Sequence, residues 1–202
     1  MGATGLVLVG FVIAHMAGNL QFFAGAERFN AYSHLLQHDL IEITWLVRIT
    51  LLAAVLLHIT AAVQLTLQNR AARPTPYVRR DPQVSTYASR TLRWGGAYLL
   101  VFIVYHLLHF TTGTLHPAYV RDAAYGNVVI GFQVVWVALF YLGAMAFLSL
   151  HLYHGAWASF RTLGIARPSD HPLHRRLALA IAIAVPGGLS LIPLSVLLGF
   201  VT

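Results

Sequence analysis

The chain has 202 residues, 58% of them hydrophobic and only 9% charged, far from the roughly 25% charged residues of soluble domains, so an ordinary soluble globular protein is excluded and an integral membrane protein is expected. All thirteen basic residues are arginine, against six acidic ones, for a net charge of +7, yet no basic stripe is interleaved with aromatics as a nucleic-acid surface requires. There is no cysteine, which excludes disulfides, zinc–thiolate sites, protein-ligated iron–sulfur clusters and covalently attached haem.

A helix needs about 20 apolar residues to cross the hydrocarbon core, and five runs qualify: 4–24, 43–68, 94–115, 128–156 and 177–200. They predict an all-α membrane protein of one domain over 1–202, with five transmembrane helices. The first run lacks the short apolar core and small-residue cleavage site of a secretory signal, so it reads as an anchor with a short cytoplasmic leader expected ahead of it. Segments rich in turn and charge signals separate the runs, and Asp39 stands at a plausible N-cap of the second. In the fifth run, Pro186-Gly187-Gly188 and Pro193 predict a kinked helix of structural role.

Arginine orients the bundle, because cytoplasmic loops carry the excess of basic residues. The second and fourth loops hold ten (Arg70, Arg73, Arg79, Arg80, Arg90, Arg93, Arg161, Arg167, Arg175, Arg176) and the first and third hold three (Arg28, Arg48, Arg121). The N-terminus is thus expected inside and the C-terminus outside. Tyr77, Tyr87, Tyr119 and Tyr125, with Trp45, Trp94, Trp136 and Trp157, read as interfacial anchors or packing.

Ionisable side chains at bilayer depth usually mark a functional site, and the first four runs each carry a deep histidine: His15, His58, His106 and His151. With a rise of about 1.5 Å per residue, His15 and His106 lie ~14–15 Å from the outer boundary, and His58 and His151 ~14–16 Å from the inner one. One imidazole from each of four helices, in two layers, is what two bis-histidine haems in a four-helix bundle require. Such ligation leaves no open coordination position and so serves electron transfer.

Small residues that let a flat macrocycle approach are expected at Gly18 and Asn19, at Ala54 and Ala61 or Ala62, and at Gly155. Arginine suits the propionates: Arg48 for the outer haem, and Arg93, Arg90 or Arg161 for the inner one. His109 and His154, each three residues from a favoured ligand, are rival ligands or partners of propionate, quinone or backbone. His34, His38, His116, His171 and His174 read as solvated residues of loops and helix ends.

Four stretches carry a family resemblance: His15-Met16-Ala17-Gly18-Asn19-Leu20, Arg28-Phe29-Asn30-Ala31-Tyr32, Phe102 to Phe110 around Tyr105-His106-Leu107-Leu108-His109, and His151-Leu152-Tyr153-His154-Gly155-Ala156-Trp157. The chain resembles, along essentially its whole length, the single-chain, five-helix dihaem cytochrome b subunit of succinate dehydrogenase and fumarate reductase. The resemblance implies His15 with His106 on the distal haem and His58 with His151 on the proximal one, both haem b bound non-covalently. It further implies a bacterial cytoplasmic membrane, a flavoprotein subunit with covalent FAD, an iron–sulfur subunit, a possible higher oligomer, and a quinone substrate, commonly menaquinone. For the quinone, Glu42, Asp39, Gln21, Asn30 and His109 are outer-side candidates, and Arg93, His154 and Trp157 mark an alternative inner rim. The family has no catalytic acid or base for succinate in this subunit.

Two other readings stay open on the sequence. One is the haem b subunit of a hydrogenase, formate dehydrogenase or nitrate reductase; the other is a haem-free membrane anchor or proton-linked transporter. The transporter predicts a continuous polar path and a helix broken at mid-membrane, which layered histidines do not match.

Overall fold

A computed structural model describes residues 1–72, 87–164 and 172–202, which are helical with no strand among them. Helix α1 (Gly2–Asn19) continues through a 3-10 turn (Leu20–Ala24) and stops at Gly25, whose φ of 96° a side chain would resist. There follow α2 (Ala26–His34) with a π turn (Leu35–Asp39), α3 (Ile41–Ala71), α4 (Tyr87–His106) with a second π turn (Leu107–Thr111), α5 (Ala124–Gln133), α6 (Val135–Thr162) and α7 (Pro172–Leu197).

Five stretches are long and apolar enough to cross a membrane: Gly2–Ala24, Ile41–Ala71, Thr91–Thr111, Val135–Thr162 and Leu173–Leu197. The five expected helices are therefore present, each able to span and with shifted ends. The third begins at Tyr87 rather than 94 and finishes its π turn at Thr111 rather than 115, and the fifth runs over 172–197 rather than 177–200. The fourth apolar run is two helices rather than one over 128–156: the chain turns at Val134 (ψ 101°) between α5 and α6, and α6 runs on to Thr162.

Two further expectations are corrected. Residues 25–42 are not merely a loop, because α2 forms there and buries Phe29 against Phe22. Asp39 is not an N-cap: Leu40 precedes α3 without a side-chain cap, and the Asp39 carboxylate lies 3.6 Å from His34 instead. The fifth helix continues through both Pro186 and Pro193.

Helix α6 is the hub, packed on α7, α4 and α1. The close approach of α6 and α7 rests on small side chains, with Ala144, Ala156, Ala178 and Ala182 almost fully buried. This is how helices associate where lipid removes the hydrophobic drive between them. Pro186 has no N–H to give the Ala182 carbonyl one turn back, and Ser149 of α6 supplies it a hydrogen bond of 2.7 Å. By contrast α3 leans on α1 and the first π turn, and among the described residues it makes no extensive contact with α4, α6 or α7. Its apolar side chains, among them Leu46, Ile49, Leu52 and Leu57, stay exposed for lipid.

Ser149→Ala should leave the Ala182 carbonyl unpaired and destabilise the α6–α7 pair by about 0.6–1.7 kcal/mol, read as a lower unfolding midpoint in detergent.

Candidate functional site

The bundle brings together the histidines that depth alone had paired. His15 of α1 and His106 of α4 have ring centroids 5.8 Å apart, and His58 of α3 and His151 of α6 are 6.2 Å apart. The spacing between pairs follows from two independent rulers. His58 lies against Gly5 on α1, ten residues before His15, and Tyr141, which meets His106, lies ten residues before His151 on α6; ten residues rise ~15 Å. The pairs are stacked along the bundle rather than side by side.

Each layer has one ring oriented by a hydroxyl. His58 Nδ1 is 3.2 Å from Thr4 Oγ1, whose own proton goes to the Met1 carbonyl at 3.0 Å. Thr4 therefore accepts from His58 Nδ1–H, which leaves the His58 Nε2 lone pair free. His106 Nδ1 is 3.4 Å from the Tyr141 hydroxyl. Of the other two rings, His15 has the Asn19 amide beside both its nitrogens (3.3 and 3.4 Å), and that amide also donates to the His15 carbonyl at 2.8 Å. His151 keeps a buried Nδ1 with no hydrogen-bond partner.

These residues fit a bis-imidazole metal. A metal–nitrogen distance of about 2 Å and a ring radius of about 1.2 Å place two axial imidazole centroids ~6.4 Å apart, and both observed separations fall within 1 Å of that. Tying Nδ1 to an outer partner, so that Nε2 is left to ligate, is the usual second-sphere device at metal-bound histidine. A Cβ added to Gly155 would meet nothing within 4 Å, so space is open one turn from His151. Gly18 is different: its missing side chain admits the Tyr32 hydroxyl and ring, so its smallness serves α2 rather than a macrocycle.

The remaining expected residues fall into separate groups. Arg48 is exposed with its guanidinium 5.1 Å from the Trp45 ring centroid. Arg93 and Arg161 are exposed at the opposite, arginine-rich end, and His154 is half-buried. The Arg90 side chain, with Arg167, His171 and Tyr77, lies outside the described residues. Glu42 and Asp39 are exposed and Gln21 is half-buried. Asn30 is committed to structure, its Oδ1 accepting the Tyr125 N–H in the first turn of α5 at 2.9 Å. His34 and His38 are exposed as expected and stack at 4.3 Å. His38 Nε2 donates to Asp122 at 3.1 Å, and that hydrogen bond holds the Asp122 carboxyl below its ordinary range.

Two histidines expected to be solvated are not: His116 and His174, the latter half-buried with its ring 5.2 Å from that of Phe160. His116 is 8% exposed, its Nε2 donating to the Asn127 carbonyl at 2.8 Å and its Nδ1 accepting the Ala118 N–H at 3.1 Å. His109 is fully buried one hydroxyl away from His106, with Nδ1 3.1 Å from Tyr141 and its Nε2 edge against Gly131. Sequence reading missed Tyr141 and Asn127. Asn127 closes the loop after α4 with its Oδ1 on Val120 N (2.9 Å) and its Nδ2 on Val120 O (2.7 Å). A polar residue in the apolar run 128–156 was the available signal for Tyr141.

Fold and site together define a helical protein with five helices able to span a membrane and two layers of facing histidines between them. Compared with protein-family models, curated proteins and solved structures, the chain matches none.

Gly131→Ala places a Cβ 2.9 Å from His109 Cε1 and 3.1 Å from the Phe110 ring. Both rings are hemmed in, so overpacking should cost about 1–3 kcal/mol, measured as a lower thermal midpoint of the detergent-solubilised protein.

Proposed function

We propose that this chain is the membrane anchor and dihaem cytochrome b subunit of a succinate:quinone oxidoreductase, working in succinate oxidation or fumarate reduction. The observation that supports it is the pair of imidazole layers, each joining two different helices at the separation two axial ligands need. His15 and His106 hold one iron and His58 and His151 the other. Two protein imidazoles would hold each haem b, and the chemistry the haems would supply there is one-electron carriage rather than oxygen binding. Thr4 and Tyr141 orient one ring in each layer.

The arginine-rich end, with exposed Arg70, Arg93, Arg161 and Arg175, faces the cytoplasm and receives the iron–sulfur and FAD-bearing subunits. Arg93 and Arg161 are placed for propionates at that end, and Arg48 at the other. Quinone, taken here as menaquinone, is reduced or oxidised at the α2 end, where Glu42 and Asp39 are exposed carboxylates able to exchange protons. Electron passage between the two ends then couples the reaction to the membrane potential at about 2.3 kcal/mol per charge per 100 mV.

Pyridine haemochrome on the purified membrane complex should give two b-type haems per copy of this chain; a value of one or none overturns the proposal. His58→Ala and His106→Ala should each remove one haem, and from different layers, so that the two variants leave distinguishable spectra. A reporter inserted within 73–86 should be active only as a cytoplasmic fusion, and one within 112–123 only as an external fusion.

A further inference from the structure

The Tyr141 hydroxyl lies between two imidazoles, 3.1 Å from Nδ1 of His109 and 3.4 Å from Nδ1 of His106. A phenol carries a single proton, so it donates to at most one of these nitrogens, and accepting from both would leave its own buried proton without an acceptor among the described residues. Which way the proton points decides which nitrogen of His106 keeps a lone pair. If Tyr141 donates to His106, that ring must carry its hydrogen on Nε2, where a metal would bind. If Tyr141 donates to His109, it accepts from His106 Nδ1–H and Nε2 is free.

The surroundings of His109 isolate this choice from everything but Tyr141. Its ring is fully buried, stacked between Tyr105 (5.3 Å, 28°) and His116 (4.9 Å, 25°), and its Nε2 has no hydrogen-bond partner. His116 cannot exchange a proton with it, because both His116 nitrogens are engaged by backbone, one donating and one accepting. Among the described residues, the only polar group that His109 meets through a hydrogen bond is therefore the Tyr141 hydroxyl. A buried polar ring with one partner is expensive, and an apolar residue would fill the same space without that cost.

We infer that His109 and Tyr141 are positioning residues for His106: His109 Nδ1 takes the Tyr141 proton, which turns the Tyr141 oxygen to accept from His106 Nδ1–H and holds His106 Nε2 ready to ligate. This rests on the proposed role of His106 as an iron ligand, and neither Tyr141 nor His109 touches the metal in it. Accepting a hydrogen bond from a ligating imidazole also makes that ring the stronger electron donor, so the relay bears on the potential of one layer alone. The other layer has its own hydroxyl in Thr4.

The test is a spectroelectrochemical titration of both haems in the membrane complex. Tyr141→Phe should raise the midpoint potential of the haem held by His15 and His106 and leave that of the other unmoved. His109→Leu should lower occupancy of the same layer, because the Tyr141 proton is then left with His106 Nδ1 as its acceptor. His109→Asn, whose carboxamide oxygen can fall where Nδ1 sits, should restore occupancy. In the Tyr141→Phe background His109→Leu should add nothing to the shift in potential. Wild-type protein with fewer than two haems overturns the reading of His106 as a ligand. Wild-type protein with two haems, and a Tyr141→Phe variant with both potentials unchanged, overturns the relay alone. Should Tyr141→Phe fail to accumulate, the two His109 variants decide: equal haem loss in Leu and Asn is a packing effect and overturns the relay.

Discussion

An imidazole carried into hydrocarbon has to find partners for its two nitrogens, and that requirement organises this molecule. Water is absent at that depth, so an unsatisfied ring nitrogen costs on the order of a few kcal/mol. The chain meets part of that demand with hydroxyls, His58 with Thr4 and His106 and His109 sharing Tyr141, and leaves His151 Nδ1 and His109 Nε2 buried without a hydrogen bond. Helix positions follow from those contacts. α1 lies beside α3 where Thr4 meets His58, and α4 beside α6 where Tyr141 meets two rings, so the polar contacts set a register that apolar surfaces sliding in lipid would not.

Helix α6 joins these demands. It supplies Tyr141 to one layer and His151 to the other, and between them Ala144 and Ser149 secure its contact with α4 and α7. A straight helix converts ten residues into a fixed axial distance, so the spacing of the two layers is written into a single rigid element. The first π turn and α2 close the end of the bundle beyond His15, with Tyr32 seated on Gly18 and Phe29 on Phe22.

The four deep histidines and their pairing could be read from the sequence because helical rise makes depth nearly linear in residue number. The elements outside the spans could not be read so easily. Residues 25–42 are polar and begin with Gly25, which hides an amphipathic helix whose sole buried residue is Phe29. The break at Val134 lies inside a continuous apolar run, where hydropathy changes nothing and only the backbone turns. His116 was misread because its partners are backbone groups of its own loop, which no side-chain pattern records. Tyr141 is overlooked for a different reason: its hydroxyl stands out in an apolar run, but an aromatic residue there has packing as its default, and only the position of two rings around the hydroxyl gives it another task. Asp39 and Glu42, by contrast, are exposed at the end of the bundle where their charge in the sequence placed them.

The isolation of α3 has a consequence for assembly. In order of synthesis, α1 and α3 form an early unit and α4 and α6 a later one, and among the described residues α3 makes no extensive contact with that later unit, whereas α1 packs on α6. Each histidine pair takes one ring from the early unit and one from the late unit: His15 and His58 wait for His106 and His151. A group that bound both His58 and His151 would be a rivet between α3 and the later unit, and its binding free energy would add to the closure of the bundle there. Loading of that layer would then stabilise a helix that, among the described residues, packs extensively only on α1 and the first π turn.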